Sequence, residues 1–188
     1  GIVFSRALHT RSKFSATSLD QLPHMLAAWS MFGHQLLLPI PDVDRTRYLV
    51  IVGANPAVSN GSIMSAPGMK GRLRALRDRG GRVVVLDPRR REPARLADAH
   101  HFVRPGTDAL WLFALAREIF ETTGPRLGRL EPHVKRLDVA RELARPFTPE
   151  AVAAPTGIPA AVTREVAEKL VHTEEAVLYG RIGVCTQA

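Results

Sequence analysis

The sequence of 188 residues predicts an α/β fold, namely a parallel, doubly wound, Rossmann-like sheet in three layers with additional C-terminal helices. Three short apolar runs, at residues 48–52, 83–86 and 102–103, end in turn residues and are too short for buried helices. The first two are rich in Val, as is typical of strands that are covered on both faces. Helical patterns separate the runs, and this alternation favours a parallel sheet.

The N-terminal part predicts a helix followed by an extended connector. Residues 17–32 have a helical pattern with Pro23 near the first turn, where proline is tolerated. Pro39 and Pro41 then exclude a helix, so the chain should run extended into the first strand.

Two longer helices are predicted between and after the strands. Residues 69–81 (MKGRLRALRDRGG) place leucines on one face and arginines on the other, and a glycine pair ends the pattern. Residues 107–124 (TDALWLFALAREIFETTG) predict a helix that is apolar on most sides and capped by Thr107 or Asp108.

The remainder of the chain is predicted to be helical, with a last strand that breaks into a Gly-rich loop at residues 176–188. We expect one α/β domain in three parts: an N-terminal helix and connector at 1–44, a nucleotide-binding βαβ core at 45–125, and a helical segment with a terminal strand and loop at 126–188. The chain begins with Gly rather than Met, so we expect a piece of a longer protein.

Composition excludes several classes of protein. The net charge of +8 comes mostly from arginine, which suits anionic ligands but is equally typical of a solvated surface. Cys185 is the single cysteine, which excludes an internal disulfide and an all-cysteine metal or cluster site in this chain.

No apolar run is long enough to span a membrane, and no signal peptide is visible, so a cytoplasmic location is expected. Motifs of serine hydrolases, zinc proteases and Walker-type nucleotidases are missing from the sequence.

The loop after the first strand is the first candidate ligand contact, because ligands of open parallel sheets bind at the carboxyl ends of the strands. Gly53 lets the backbone approach a ligand closely, and Asn55 precedes Pro56 and so disfavours a helix there. Ser59 offers a neutral hydrogen bond. An ordinary strand-to-helix turn would have the same composition.

The ends of the second and third strands supply two further candidates. Asp87 stands where dinucleotide-binding folds use an acid to bind ribose, although the first loop lacks G-x-G-x-x-G and the spacing is too long for the usual NAD pattern. Arg89, Arg90 and Arg91 form either a cationic patch for a ligand or a solvated charge run. Asp108 either caps a helix or accepts the paired N–H groups of a guanine edge.

Three segments together resemble the molybdopterin oxidoreductases of the dimethyl sulfoxide reductase family, which includes formate dehydrogenases and periplasmic nitrate reductases. They are VGANPAVSNGS, VVVLDPRRREPARLADAHHFVRPGTDALWLFAL and YGRIGVCTQ. The resemblance covers roughly residues 10–188, and its specificity depends on the ordered set of motifs rather than on any one of them.

The resemblance implies a molybdenum or tungsten ion held by two pterin dithiolenes, in the cofactor bis(molybdopterin guanine dinucleotide). The parent protein would be an oxidoreductase that carries out two-electron oxo or hydride transfer. Its 4Fe–4S cluster, its remaining domains and any electron-transfer partner would lie outside this chain, which would be inactive by itself.

The resemblance also implies roles for individual residues. The loop after the first strand would lie along the pyrophosphate and pterin of one tail. Residues after the second strand would lie near the ribose or guanine, and residues after the third strand would bind guanine. The terminal loop would approach the pterins and the metal. In chain order these residues are Gly53, Ala54, Asn55, Pro56, Ala57, Val58, Ser59, Asp87, Arg89, Arg90, Gly106, Thr107, Asp108, Gly180, Arg181, Gly183 and Gln187.

The protein ligand of the metal is sought before the first strand. The segment FSATSLDQLPH is similar to that of the reductases that use serine, so Ser15 is the candidate, followed by Ser18 and Asp20. A helix cap or turn is the structural alternative for such a serine.

Two other functions remain open: a metal-free nucleotide-binding module, and a basic nucleic-acid-binding domain. The second is disfavoured because Trp29 and Trp111 lie in apolar helical runs rather than on a stacking platform.

Overall fold

The computed structural model describes residues 2–12, 14–90 and 92–186. The chain divides into two compact units, residues 1–38 and residues 39–188. None of the helices in the described ranges is long and apolar enough to cross a membrane.

The first unit contains three helices: α1 (Ile2–Ala7), α2 (Thr17–Asp20) and α3 (Leu22–Phe32). The single helix predicted over residues 17–32 is therefore wrong in one respect, since it is interrupted at Gln21. Pro23 has no backbone N–H and cannot continue the hydrogen-bond ladder of α2, whereas the first turn of α3 accommodates it. Gly33 ends α3 in a left-handed conformation with φ of 76°.

The second unit is built on a four-stranded sheet in the order β3-β2-β1-β4, with every neighbouring pair parallel. The strands are β1 (Tyr48–Val52), β2 (Arg82–Leu86), β3 (Ala99–His101) and β4 (Ala176–Gly180). The central strand β1 is buried along its whole length, which explains its unbroken apolar sequence.

The third strand lies earlier than the sequence predicts. The apolar run at residues 102–103 predicts this strand, but β3 ends at His101, and Phe102 is largely exposed. At Arg104 the backbone N–H donates to the carbonyl of Thr156, so the chain has already left the sheet. Because β3 is an edge strand whose residues are only half-buried, its sequence AHH has no apolar signature.

Helices cover both faces of the sheet, as the predicted three-layer fold requires. On one face, α4 (Met69–Asp78) and α5 (Glu92–Leu96) pack over a core that includes Leu49, Ile51 and Val85. On the other, α6 (Asp108–Glu121) and α9 (Ala160–His172) cover a core that includes Val50, Val84 and Trp111. The α/β, doubly wound parallel fold is confirmed.

The additional helices pack around α6. Helices α7 (Leu137–Ala144) and α8 (Pro149–Thr156) both contact it. Two short 3-10 helices, Ser62–Met64 and Gly128–His133, occupy loops. After β4 the expected Gly-rich loop instead forms a short helix, α10 (Ile182–Cys185).

Candidate functional site

The four strand ends meet at one edge of the sheet, because all the strands run parallel. A cavity of about 190 Å³ lies at that edge. Each of the four loops that leave the sheet contributes to its lining, which consists of Gly53, Pro88, Pro105, Gly106, Asp108, Gly183 and Thr186.

Two glycines close the cavity between the loops after β1 and β4. The N–H of Gly183 donates to the carbonyl of Gly53 at 3.0 Å. A Cβ atom on Gly53 would lie 2.8 Å from the Cα of Gly183, and Gly53 also has a positive φ of 54°. The two backbones therefore meet only because neither residue carries a side chain.

The loop at residues 53–62, which we call the first loop, is folded by its own backbone. The N–H groups of Val58 and Ser59 donate to the carbonyl of Asn55, and that of Gly61 donates to the carbonyl of Pro56 at 2.8 Å. Ala54 and Pro56 are buried and Ala57 is half-buried, whereas Val58 and Ser59 are exposed.

Side chains from two other elements anchor this loop. The buried hydroxyl of Tyr179, on β4, donates to the carbonyl of Gly61 at 3.1 Å. The amide Nδ2 of Asn55 donates to Oε2 of Glu92, at the start of α5, at 3.0 Å. This hydrogen bond is the main cause that lowers the pKa of the Glu92 carboxyl. Sequence reasoning identified neither anchor, because both act across long stretches of the chain.

Asp87 shapes the turn after β2. It is buried, and its Oδ1 accepts the N–H of Arg89 at 2.7 Å. Asp87 is not among the described residues that line the cavity, whereas the adjacent Pro88 is. Arg89 and Arg90 are exposed beyond that turn, and Arg91 lies outside the described residues.

Asp108 lies at the cavity wall and is the first residue of the 14-residue helix α6. It is only 4% exposed. Thr107 precedes the helix as its N-cap residue but makes no side-chain cap, because its hydroxyl donates to the carbonyl of Arg104 at 2.6 Å. The cavity thus receives a carboxylate and the positive end of a helix dipole together.

The loop after β4 brings Gly183 and Thr186 to the cavity. Gly180 ends the strand, and the buried Arg181 continues the ladder, its N–H donating to the carbonyl of Val52 at 3.4 Å. Gln187, which the sequence placed in this loop, lies outside the described residues.

The candidate metal ligand Ser15 belongs to the first unit. Its hydroxyl lies 2.7 Å from the hydroxyl of Thr17 and accepts the Thr17 N–H at 3.1 Å, next to the start of α2. The Ser18 side chain lies outside the described part, and Asp20 ends α2. Within the described residues, no cluster of three or more His, Cys, Asp or Glu side chains could hold a metal ion by itself.

The cavity is lined by glycine and proline residues together with Thr186 and one acidic residue, Asp108. Two of its glycines, Gly53 and Gly183, are hydrogen-bonded to each other, Pro88 and Pro105 add apolar surface, and Asp108 carries a carboxylate, which accepts hydrogen bonds. The start of α6 favours a negative charge nearby. A carboxylate in the cavity wall is chemically compatible with a ligand that presents paired N–H donors.

Comparisons with known proteins identify relatives, although no protein-family model matches the chain. Formate dehydrogenase H of Escherichia coli (strain K12) is 26% identical over 145 residues, which are 77% of this chain and 19% of that protein. A Staphylococcus aureus (strain bovine RF122 / ET3-1) protein, provisionally named a formate dehydrogenase, is 30% identical over 148 residues, 79% of this chain and 14% of that protein.

Among solved structures, acetylene hydratase from Pelobacter acetylenicus matches with a TM-score of 0.65 and 23% identity, over 77% of this chain and 19% of that chain. This likeness supports the fold. The chain spans less than a fifth of the length of the relatives named above. Over about three quarters of its residues, the chain is a homologue of the molybdopterin oxidoreductases, the dimethyl sulfoxide reductase family that its motifs resemble.

Proposed function

We propose that the chain is part of a molybdenum- or tungsten-dependent oxidoreductase, and that it binds one guanosine-dinucleotide tail of bis(molybdopterin guanine dinucleotide). The observation that carries this proposal is the cavity at the four strand ends, which combines Asp108, paired glycines and the start of α6. The homology with formate dehydrogenases supports the choice of a pterin cofactor over a free nucleotide.

Guanine recognition is assigned to the wall after β3. The carboxylate of Asp108 accepts the ring N–H and the amino group of guanine, a pair of donors that adenine lacks on the same edge. Gly106 and Thr107 leave the backbone open beside it, since a Cβ on Gly106 would meet nothing within 4 Å.

The first loop is assigned to the pyrophosphate and the pterin of one tail, and the loop that contains Gly183 is assigned to the approach to the pterins and the metal. Pro56 has no N–H, and the N–H groups of Gly53, Val58 and Ser59 already donate to backbone carbonyls. We therefore assign the N–H groups of Ala54, Asn55 and Ala57 to the pyrophosphate. The exposed Arg89 and Arg90 and the buried Arg181 supply positive charge nearby. Asp87 holds the turn that presents Arg89, and ribose lies near that turn.

When bound, the cofactor supplies the two-electron oxo or hydride transfer chemistry, and this chain binds and orients it. Ser15 is the proposed protein ligand of the metal, and only the resemblance to serine-using reductases supports that role. The 4Fe–4S cluster and the electron-transfer partner are assigned to other parts of the parent protein.

The test uses the full-length protein that contains this chain, purified without oxygen. Elemental analysis should find about one molybdenum or tungsten per chain. After removal of the cofactor, calorimetry should detect GDP binding and much weaker ADP binding, and this difference should disappear in the Asp108→Asn variant.

Two outcomes would contradict parts of this proposal. Well-folded protein that binds GDP but never contains molybdenum or tungsten would instead be a metal-free nucleotide-binding module. Protein that binds neither nucleotide, but binds nucleic acid with an affinity that falls steeply with salt, would be a basic nucleic-acid-binding domain.

A further inference from the structure

Glu92 connects the loop after β2 with the first loop. It begins α5, and its Oε2 accepts the Nδ2–H of Asn55, a residue 37 positions earlier in the chain, at 3.0 Å. Neither Glu92 nor Asn55 is among the described residues that line the cavity, whereas Gly53, at the start of the first loop, is. An effect of Glu92 on a ligand must therefore pass through Asn55 to the conformation of this loop.

The charge of Glu92 makes this contact stronger than a neutral hydrogen bond. The Asn55 amide is the largest cause that lowers the carboxyl pKa, and Lys70 and Arg95 lower it further. Glu92 is therefore ionised at neutral pH, and hydrogen bonds to an ionised acceptor are shorter and stronger than neutral ones.

The first loop needs such anchors because its backbone is locally unfavourable. Asn60 and Ser62 have positive φ values of 49° and 52°, a conformation that is uncommon for residues other than glycine. Tyr179 anchors the far end of the loop at Gly61, and Glu92 anchors the near end at Asn55. The exposed tip at Val58 and Ser59 lies between the two anchors.

We propose that Glu92 is a positioning residue: through its hydrogen bond with Asn55 it holds the first loop in the conformation that receives the dinucleotide tail. The identity of the ligand rests on the proposed function above, whereas the restraint of the loop does not. Removing the anchor should increase the mobility of residues 53–62 and, as a separate consequence, weaken nucleotide binding.

The experiment compares Glu92→Ala, Glu92→Gln and wild type in the full-length protein by hydrogen exchange with peptide resolution. In Glu92→Ala, amides within residues 53–62 should exchange roughly tenfold faster, while those of β1 and β2 are unchanged. Glu92→Gln keeps an oxygen acceptor but loses the charge, so it should recover part of the protection. Glu168→Ala, on the exposed face of α9, is the control and should change neither region.

A structural role confined to α5 predicts a different result. If Glu92 only stabilised the first turn of its own helix, Ala and Gln would both loosen residues 92–96 and leave residues 53–62 as in wild type. That outcome would overturn the proposal.

A swap of donor and acceptor tests the pair directly. Asn55→Asp places two carboxylates against each other and should loosen the loop as much as Glu92→Ala does. Adding Glu92→Gln to Asn55→Asp recreates one amide and one carboxylate, so exchange should return toward the wild-type rate. Additive effects in the double variant would contradict a direct interaction.

Calorimetry with GDP separates this proposal from the proposed function. If both are right, Glu92→Ala binds GDP about tenfold more weakly and Glu92→Gln binds it with an affinity between those of Glu92→Ala and wild type. If wild type binds no GDP but Glu92→Ala still loosens the loop, the guanine site is wrong and the positioning role stands. If wild type binds GDP and Glu92→Ala binds it equally well, the positioning role is wrong.

Discussion

Gly53 and Gly183 pack backbone against backbone, with the Gly183 N–H donating to the Gly53 carbonyl at 3.0 Å. A Cβ on either glycine would lie within 2.8 Å of the other residue's backbone. This contact joins the loops after β1 and β4, two strands that are neighbours in the sheet but distant in the sequence. It therefore determines how closely the two walls of the cavity approach.

Substitution of either glycine should be strongly destabilising. Gly53→Ala adds a steric clash to a left-handed backbone, so we expect a loss of about 2–4 kcal/mol in the free energy of unfolding. Gly183→Ala has the clash alone and should cost about 1–3 kcal/mol. Urea denaturation measures both.

Gly71→Ala is the matched control for these glycines. It lies in α4, where φ is not positive and a Cβ would meet nothing within 4 Å. We expect a gain of about 0.5–1 kcal/mol, because alanine is the better helix former. The same change in unfolding free energy in Gly53→Ala, Gly183→Ala and Gly71→Ala would contradict the close contact between Gly53 and Gly183.

Asp108→Asn should weaken ligand binding and should also lower stability. Losing the charge and one of the two carboxylate acceptors should weaken GDP binding by roughly 10–100-fold, and because Asp108 is buried in the first turn of α6 we expect a loss of about 1–3 kcal/mol in the free energy of unfolding. Asp138→Asn changes the corresponding first turn of α7 and serves as the control. Unchanged GDP affinity in Asp108→Asn would show that this aspartate only stabilises the first turn of α6 and does not bind guanine.

Trp111 and Thr163 form a buried hydrogen bond between α6 and α9, with Nε1 donating to Oγ1 at 3.1 Å. Both residues are fully buried. Thr163→Val leaves the indole N–H without its acceptor and should cost about 1–3 kcal/mol in unfolding free energy. Thr163→Ser retains the hydroxyl and should cost less. A larger loss in the serine variant than in the valine variant would show that packing of the threonine methyl group contributes more to stability than the hydrogen bond does.

His101 should make the stability of the second unit depend on pH. Burial lowers its pKa; His100 and Arg82 act in the same direction, whereas Glu165 opposes them. The unfolded chain therefore takes up the proton first as the pH falls below the ordinary histidine value of about 6.5, and stability decreases over that range. Above that value both states are neutral and the effect vanishes.

The measurement for His101 is the urea midpoint at about pH 7.5 and about pH 5.5 in wild type and His101→Gln. The difference between the two midpoints should be smaller in the variant, because glutamine does not titrate in this range. An unchanged difference would assign the pH dependence to other groups.

The sequence predicted the elements whose signals are local. The apolar run of β1, the amphipathic pattern of α4 and the turn residues Gly53 and Gly106 all carry their signal within a few positions. The bounds of the edge strand β3 were not predicted, because its half-buried residues, which include two histidines, do not have the apolar pattern of a strand. The contacts of Glu92 with Asn55 and of Tyr179 with Gly61 were not predicted, because no residue close to them in the sequence indicates these partners.

The parallel α/β class, the family resemblance and the set of strand-end residues follow from the amino-acid sequence, since local hydrophobic patterns and ordered motifs carry that information. Which of those residues share a cavity depends on how the chain packs in three dimensions. The tertiary structure places Gly53, Gly106, Asp108 and Gly183 around one space, and it turns the Asp87 carboxylate to the N–H of Arg89. Side-chain direction and contact between distant loops depend on the packing of the whole sheet, which no local pattern encodes.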